Sequence, residues 1–417
     1  MEEFSPKTDQ MPAGFGATLR RTFHSLRTRN FRLYFTGQLI SNTGNWLTNV
    51  ALILLVLKLT GSGLDVGLLA ACQYGPILVL SAWGGAIADR FDKRKMLLVS
   101  QSLEMAQSAS LAVLAFMPHP SLAWLYALAI LGGIFLAFDN PFRRSFVTEM
   151  VPPEDIPNAV VLYSTIVNVS RIFGPAIAGL LATTLGFGWC FTIDAASYVA
   201  VIIGIIMMNP GELYRRPQKP RERGEVRAGF RYILATPFLW VSFAMLAAIG
   251  TLAYNFSVSL PLFVTDSLHS SGGVFTILYS IFSLGAVVCA LIVAHRNLVG
   301  MRYIVMGAGA LGIAMLLFGF SPNVWAAGVT VFIMGMASIL YMTSTTSIIQ
   351  VNAAREMHGR VLALQMVFVA GTSVIGGPFS GWLADALGGR APLLLGGIVC
   401  LAAAVFGYYA RRRYVIL

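Results

Sequence analysis

The chain has 417 residues, 57% of them hydrophobic and 11% charged, and a formal net charge of +11. A soluble domain carries roughly 25% charged residues, so the composition excludes an ordinary water-soluble fold and points to an all-α membrane protein. Four isolated cysteines, Cys72, Cys190, Cys289 and Cys400, lie in apolar runs and make neither a disulfide framework nor a metal site.

Residues 1–30 begin Met1-Glu2-Glu3 and lack the short apolar core of a cleavable signal peptide. They read as a tail that ends in a basic, interface-lying piece. A span needs about 20 apolar residues. Twelve are read, at 33–58, 64–88, 96–117, 121–142, 157–185, 188–209, 236–260, 270–294, 302–320, 323–349, 359–386 and 390–410. Turn signals such as Gly61-Ser62-Gly63 and Pro118-His119-Pro120 separate several of them.

In the first span Gln38, Asn42, Asn45 and Asn49 are spaced four, three and four apart and share one helical face. Amides are costly in lipid, so this face either lines a hydrated cavity or bonds neighbouring helices. Trp46 beside it either stacks on a ligand or packs. Between the second and third spans six charged residues fall in seven positions, a short loop tight against one membrane surface. The third span carries Glu104 and the sixth Asp194. A carboxyl in low dielectric can trade protons, which makes both candidates for proton coupling. Asp139-Asn140-Pro141-Phe142-Arg143-Arg144 reads as an inner gate or helix end.

The fifth span has a second polar stripe, Ser164, Asn168 and Arg171, with the arginine near mid-depth on a ~1.5 Å rise. It must face protein or water. Gly174-Pro175 and Gly179 follow, a kink with room for a close crossing. Residues 210–235 are rich in proline and charge and read as a linker with a surface helix from Glu225 to Leu234. The linker separates an amino-terminal bundle at 31–209 from a carboxy-terminal one at 236–417. A faint repeat, Ala178 to Gly186 against Ser380 to Gly388, places the fifth span on the eleventh. Tyr254 and Asn255 in the seventh span and Tyr341 in the tenth are cavity candidates on the carboxy-terminal side.

All lysines and arginines except Lys58, Arg171 and Arg390 fall in the tails, in loops after even-numbered spans, or at the edges of those loops. This asymmetry puts both termini in the cytoplasm. It also disposes of nucleic acid as the partner of the basic excess; anionic lipid fits better. No phosphate-binding Gly-rich loop appears, so direct ATP drive is not expected, and no catalytic triad is formed. Neither a cofactor nor a metal is expected, and the chain does not read as an enzyme.

The pattern Gly85-x-x-x-Asp89-Arg90-x-x-Lys93-Arg94-Lys95 resembles the loop signature of major facilitator superfamily transporters, with Asp92 where that signature usually has glycine. Gly174, Pro175 and Gly179 resemble, in abbreviated form, the fifth-helix motif of exporters in that superfamily. Thr36 to Ser41, Gly44 to Leu47, and Val151 to Ala159 resemble the twelve-helix drug–proton antiporters that include macrolide and siderophore exporters. Members often carry an acid where this chain has Asn45.

The resemblance implies two pseudo-symmetric six-helix bundles and alternating access. It implies a latch in which Asp89, with Gly85, Arg90, Lys93 and Arg94 around it, meets the start of the eleventh helix near Arg360. It also implies proton-coupled export of an amphipathic small molecule, acting as a monomer in a bacterial inner membrane. An importer or lysolipid carrier of the same fold is the alternative, and a receptor or scaffold without transport is a third.

Overall fold

The computed structural model describes residues 23–88, 91–214, 225–296, 300–354 and 357–414, with the backbone alone described at 81–88, 225–228, 359 and 414. Long helices follow one another along these residues: α1 Arg29–Thr60, α2 Gly63–Ala88, α3 Lys93–Phe116, α4 Leu122–Val147, α5 Ile156–Thr184 and α6 Phe187–Ile206. A surface helix Glu225–Ala235 follows. Then come α7, broken into Pro237–Leu252 and Phe256–Leu262, α8 Gly272–Arg296, α9 Met301–Gly319, α10 Val324–Asn352, α11 His358–Leu387 and α12 Ala391–Tyr414.

Eleven helical stretches among the described residues are long and apolar enough to cross a membrane. The remaining span is α3. It has the length, but Ser100, Gln101, Glu104 and Ser108 run down its buried side and lower its hydropathy. It packs against α4 and α6, so its polar face meets protein rather than lipid.

Local chemistry sets several helix ends. Gly61 adopts φ +64 after α1, and its N–H bonds back to Leu57 O, the left-handed stop that glycine takes without strain. Asp92 accepts from Lys95 N at 3.1 Å and caps α3. The departure from glycine at Asp92 therefore supplies a side-chain N-cap to the third span. Asn323 caps α10 in the same way, accepting from Ala326 N at 2.9 Å.

The first bundle is α1–α6 and the second α7–α12. Within the first, α1 lies on α5 and α6, and α2 on α4; within the second, α9 lies on α10 and α12, and α8 on α10. The bundles meet mainly along two crossings, α2 with α11 and α5 with α8. Glycine makes both possible. A Cβ on Gly67 would fall on the backbone of Gly377 and Pro378, one on Gly381 on the backbone of Gly63, and one on Gly179 on Thr276. The repeat register places Gly179 of the α5–α8 contact on Gly381 of the α2–α11 contact, and α5 and α11 each carry an internal proline, Pro175 and Pro378.

The start of α1 and the end of α12 share one end of the molecule, the near end. The close glycine contacts lie toward the opposite, far end. There Asp385, at the end of α11, accepts from Gly63 N at 2.6 Å, Leu64 N at 2.9 Å and Ser62 Oγ at 2.9 Å. A carboxylate thus caps the amino-terminus of α2 from the other bundle, where the helix dipole favours it.

Candidate functional site

The first bundle holds two buried polar clusters. Asp139 and Arg143, one turn apart on α4, form an ion pair. Arg143 Nη2 lies 3.3 Å from Glu104 Oε2 on α3, and Nη1 donates to Gln38 Oε1 on α1 at 2.7 Å. Gln101 Nε2 donates to Glu104 Oε2 at 3.1 Å and to Asp139 Oδ1 at 3.0 Å, and Ser100 Oγ donates to Asp139 Oδ1 at 2.7 Å. Asp139, Arg143 and Glu104 are all buried. Two carboxylates facing one guanidinium leave excess negative charge in low dielectric, and a single proton removes it.

Asp139 is thus a buried ion-pair member; of the reading of 139–144 as an inner gate or helix end, the helix end holds, with Arg144 in the last turn of α4. The expected fourth span stopped at residue 142, whereas α4 runs on to Val147 and carries Arg143 inside. The signal that reveals this pair is the four-residue spacing of Asp139 and Arg143.

The second cluster is Asp194. Thr48 Oγ1 and Ser108 Oγ each donate to its Oδ2 at 2.6 Å, which ties α1, α3 and α6 together. Gly44 permits this approach, since a Cβ there would strike Asp194 Oδ1 and Ser197 Oγ. No cation pairs with Asp194 among the described residues. Its geometry is that of a three-helix tie.

The amides of α1 form a ladder along the helix. Asn42 Nδ2 donates to Gln38 O at 2.8 Å and to Gln38 Oε1 at 3.0 Å. Asn45 Oδ1 accepts from Tyr198 OH at 2.9 Å, and Asn49 Nδ2 donates to Asn45 O at 3.0 Å. Gln38 is fully buried and belongs to the Arg143 cluster, while Asn49 is exposed. The stripe therefore runs from the buried ion cluster to an open surface.

At mid-depth, side chains from both bundles converge. Arg171 on α5 is close enough for its charge to act on Tyr74 of α2, Tyr254 of α7 and Tyr279 of α8. Trp46 stands over Tyr279 with ring centroids 5.8 Å apart. Gly174 makes room for that indole, because a Cβ there would collide with it. Tyr74 keeps 37% of its surface exposed, and a Cβ on the adjacent Gly75 would meet open space. Tyr254 OH donates to Ser338 O at 3.0 Å. Toward the near end, Asn168 donates to Ser164 O at 2.8 Å, and both line a groove with Arg144, Tyr163 and Val167.

Two expected cavity residues lie elsewhere. Tyr341 is fully buried and packs against Gly307 of α9, inside the second bundle. Helical periodicity gave its face but not the neighbour across from it. Asn255 is also buried, and its Nδ2 donates to Thr251 O at 2.8 Å where α7 breaks. It satisfies a carbonyl freed by the break, which the sequence reading did not foresee.

Of the expected latch, Asp89 and Arg90 lie outside the described residues, and Gly85 is described only as α2 backbone. Lys93 is buried and paired with Glu149. Arg94 donates to Ile205 O and Ile206 O at 3.0 Å each. Both cations therefore bind within the first bundle rather than across to α11. Arg360 stands near the start of α11, with Gly229 of the surface helix against it. Among the described residues no group of three or more His, Cys, Asp or Glu is arranged to hold a metal.

The profile of a family described as "Transmembrane secretion effector" matches residues 20–415. The chain belongs to that family. This secretion effector is a membrane transporter, not an enzyme. It is 27% identical over 340 residues to "Enterobactin exporter EntS" of Escherichia coli O1:K1 / APEC, covering 80% of each chain. The same exporter of Shigella boydii serotype 18 matches equally, at 27% over 340 residues and 80% of each.

Among solved structures it is similar to a bacterial homolog of the human lysosomal transporter Spinster, inward-facing and unoccupied. The TM-score is 0.73 and the identity 15%, with 93% of this chain and 98% of that one covered. A POT family transporter in complex with 5-aminolevulinic acid gives a TM-score of 0.76 at 13% identity, covering 96% and 98%. These neighbours share the major facilitator fold.

Proposed function

We propose that this secretion effector exports a siderophore-like amphipathic molecule from the cytoplasm, in exchange for protons, by rocking its two bundles about the α2–α11 and α5–α8 crossings. In this reading the near end is cytoplasmic and the membrane is the bacterial inner membrane. The observation that carries the reading is the buried Glu104–Asp139 pair sharing Arg143, tied by Gln38 to the cavity-facing helix α1. A proton on either carboxylate weakens its hold on Arg143 and so frees Gln38 and α1 to shift. The coupling is then local: the proton acts on α4 and α3, and the response emerges along the amide ladder of α1.

The far-end contacts through Asp385, Gly67 and Gly179 support a state open toward the near end, the side from which an exporter loads. The test uses inverted vesicles, acidified inside, with enterobactin as the first probe. The wild-type chain is expected to accumulate the probe only while the gradient lasts. Glu104→Gln and Asp139→Asn are expected to lose this gradient dependence, with accumulation reduced about tenfold or more. Equal accumulation with and without the gradient overturns the proton-driven reading.

A further inference from the structure

Arg171 is a cation of the membrane interior outside the Glu104–Asp139–Arg143 cluster. It lies midway along α5, and the acids nearest in depth are engaged elsewhere: Glu104 and Asp139 with Arg143, Asp194 with its hydroxyls. Among the described residues Arg171 has no carboxylate partner, and its buried Nε makes no hydrogen bond. An unpaired guanidinium at this depth costs several kcal/mol unless water or an anion meets it. A helix-packing role does not account for it, because among the described residues it donates to no neighbouring helix.

Its surroundings narrow the choice of ligand. Tyr74, Tyr254 and Tyr279, on three other helices, two of them in the second bundle, all lie within reach of its charge, and Trp46 packs tilted against Tyr279. An aromatic ring of this kind by itself suits a cation. The Arg171 charge, which reaches all three tyrosines, repels one. A neutral ligand would leave the guanidinium desolvated and unmatched. An anion with a flat apolar body satisfies both halves: the charge meets the guanidinium and tyrosine hydroxyls, and the rings stack on Trp46 and Tyr279.

We propose that the cavity bounded by Arg171, Tyr74, Tyr254, Tyr279 and Trp46 is the binding site for an anionic aromatic molecule. Its role as a cargo site rests on the exporter reading above; its preference for charge does not. Because the wall is drawn from α1, α2 and α5 on one side and α7 and α8 on the other, the ligand bridges the bundles. Binding there couples its occupancy to their rocking.

The test is equilibrium binding to the full chain in lipid nanodiscs, with no gradient and with empty discs subtracted. Two probes share one skeleton: anilinonaphthalene sulfonate, which is anionic, and N-phenyl-naphthylamine, which is neutral. Arg171→Gln is expected to weaken the sulfonate about tenfold or more and to bind the neutral probe as well as or better than the wild-type chain does. Arg171→Lys is expected to retain part of the sulfonate affinity, and Trp46→Ala to weaken both probes. Unchanged sulfonate binding in Arg171→Gln overturns the proposal. So does an equal loss of both probes in that variant, since the arginine would then merely hold the cavity's shape. Failure of gradient-driven export leaves these binding results intact, so the two readings fall separately.

Discussion

Single residues divide the labour of the first bundle. Glu104 and Asp139 share a cation, whereas Asp194 is held by hydroxyls alone. The sequence marks all three only as acids at membrane depth; their partners set them apart. Asp194→Asn keeps one acceptor oxygen, enough for Thr48 and Ser108 because both donate to a single oxygen of Asp194, and is expected to transport at near wild-type rate with its gradient dependence intact. Asp194→Ala strands two buried hydroxyls and is expected to lower stability by about 1–3 kcal/mol. Thermal unfolding in detergent, read beside vesicle flux, checks both. A proton-uncoupled Asp194→Asn would return this residue to the coupling machinery.

Elements carry the rocking, and glycine sets where they touch. At Gly179 an added side chain meets Thr276 head-on, and at Gly67 it meets backbone. Gly179→Val is expected to disfavour the closed far end by about 1–3 kcal/mol, and Thr276→Ala to recover much of that loss. Asp385→Ala acts in the same direction by removing the cap on α2, with a smaller effect of about 0.3–1 kcal/mol because that cap borders solvent. Spin labels at Leu59 and Leu387, both exposed at that end, report the change as a longer distance population. No change of distance in any of the three variants would falsify this account of the closure.

Much of this level was legible in the chain itself. Hydropathy places the spans, and Gly179, in the run that begins Gly174-Pro175, marks the α5–α8 crossing. The break in α7 was not legible: the sequence shows an unbroken apolar run from 236 to 260, and only the neighbouring α11, with Gly376 against Thr251 and Asn255, reveals why the helix stops and restarts.

At the scale of the whole molecule, the bundles meet at one end and leave the groove beside Ser164 and Asn168 toward the other. A cysteine at Ser164, in a chain whose own cysteines are replaced, is expected to react with a membrane-impermeant maleimide in inverted vesicles. In right-side-out vesicles it is expected to react at least about tenfold more slowly. The reverse pattern would invert both the orientation and the open side.

The sequence by itself determined that the chain is a twelve-span helical membrane protein, because burial in lipid demands long apolar helices and leaves little freedom in how they are written; that it transports came from the resemblance of its loop and helix motifs to a known superfamily. It also named Arg171, Glu104 and the α1 amides as costly groups that need a reason. Only the tertiary structure decided what each one faces. It set Tyr341 against Gly307, joined Asp139 to Arg143 and left Arg171 within reach of three tyrosines and, among the described residues, without a carboxylate partner. The physical reason is that helical periodicity fixes the direction in which a side chain points, while the partner it meets is supplied by a helix far away in the chain.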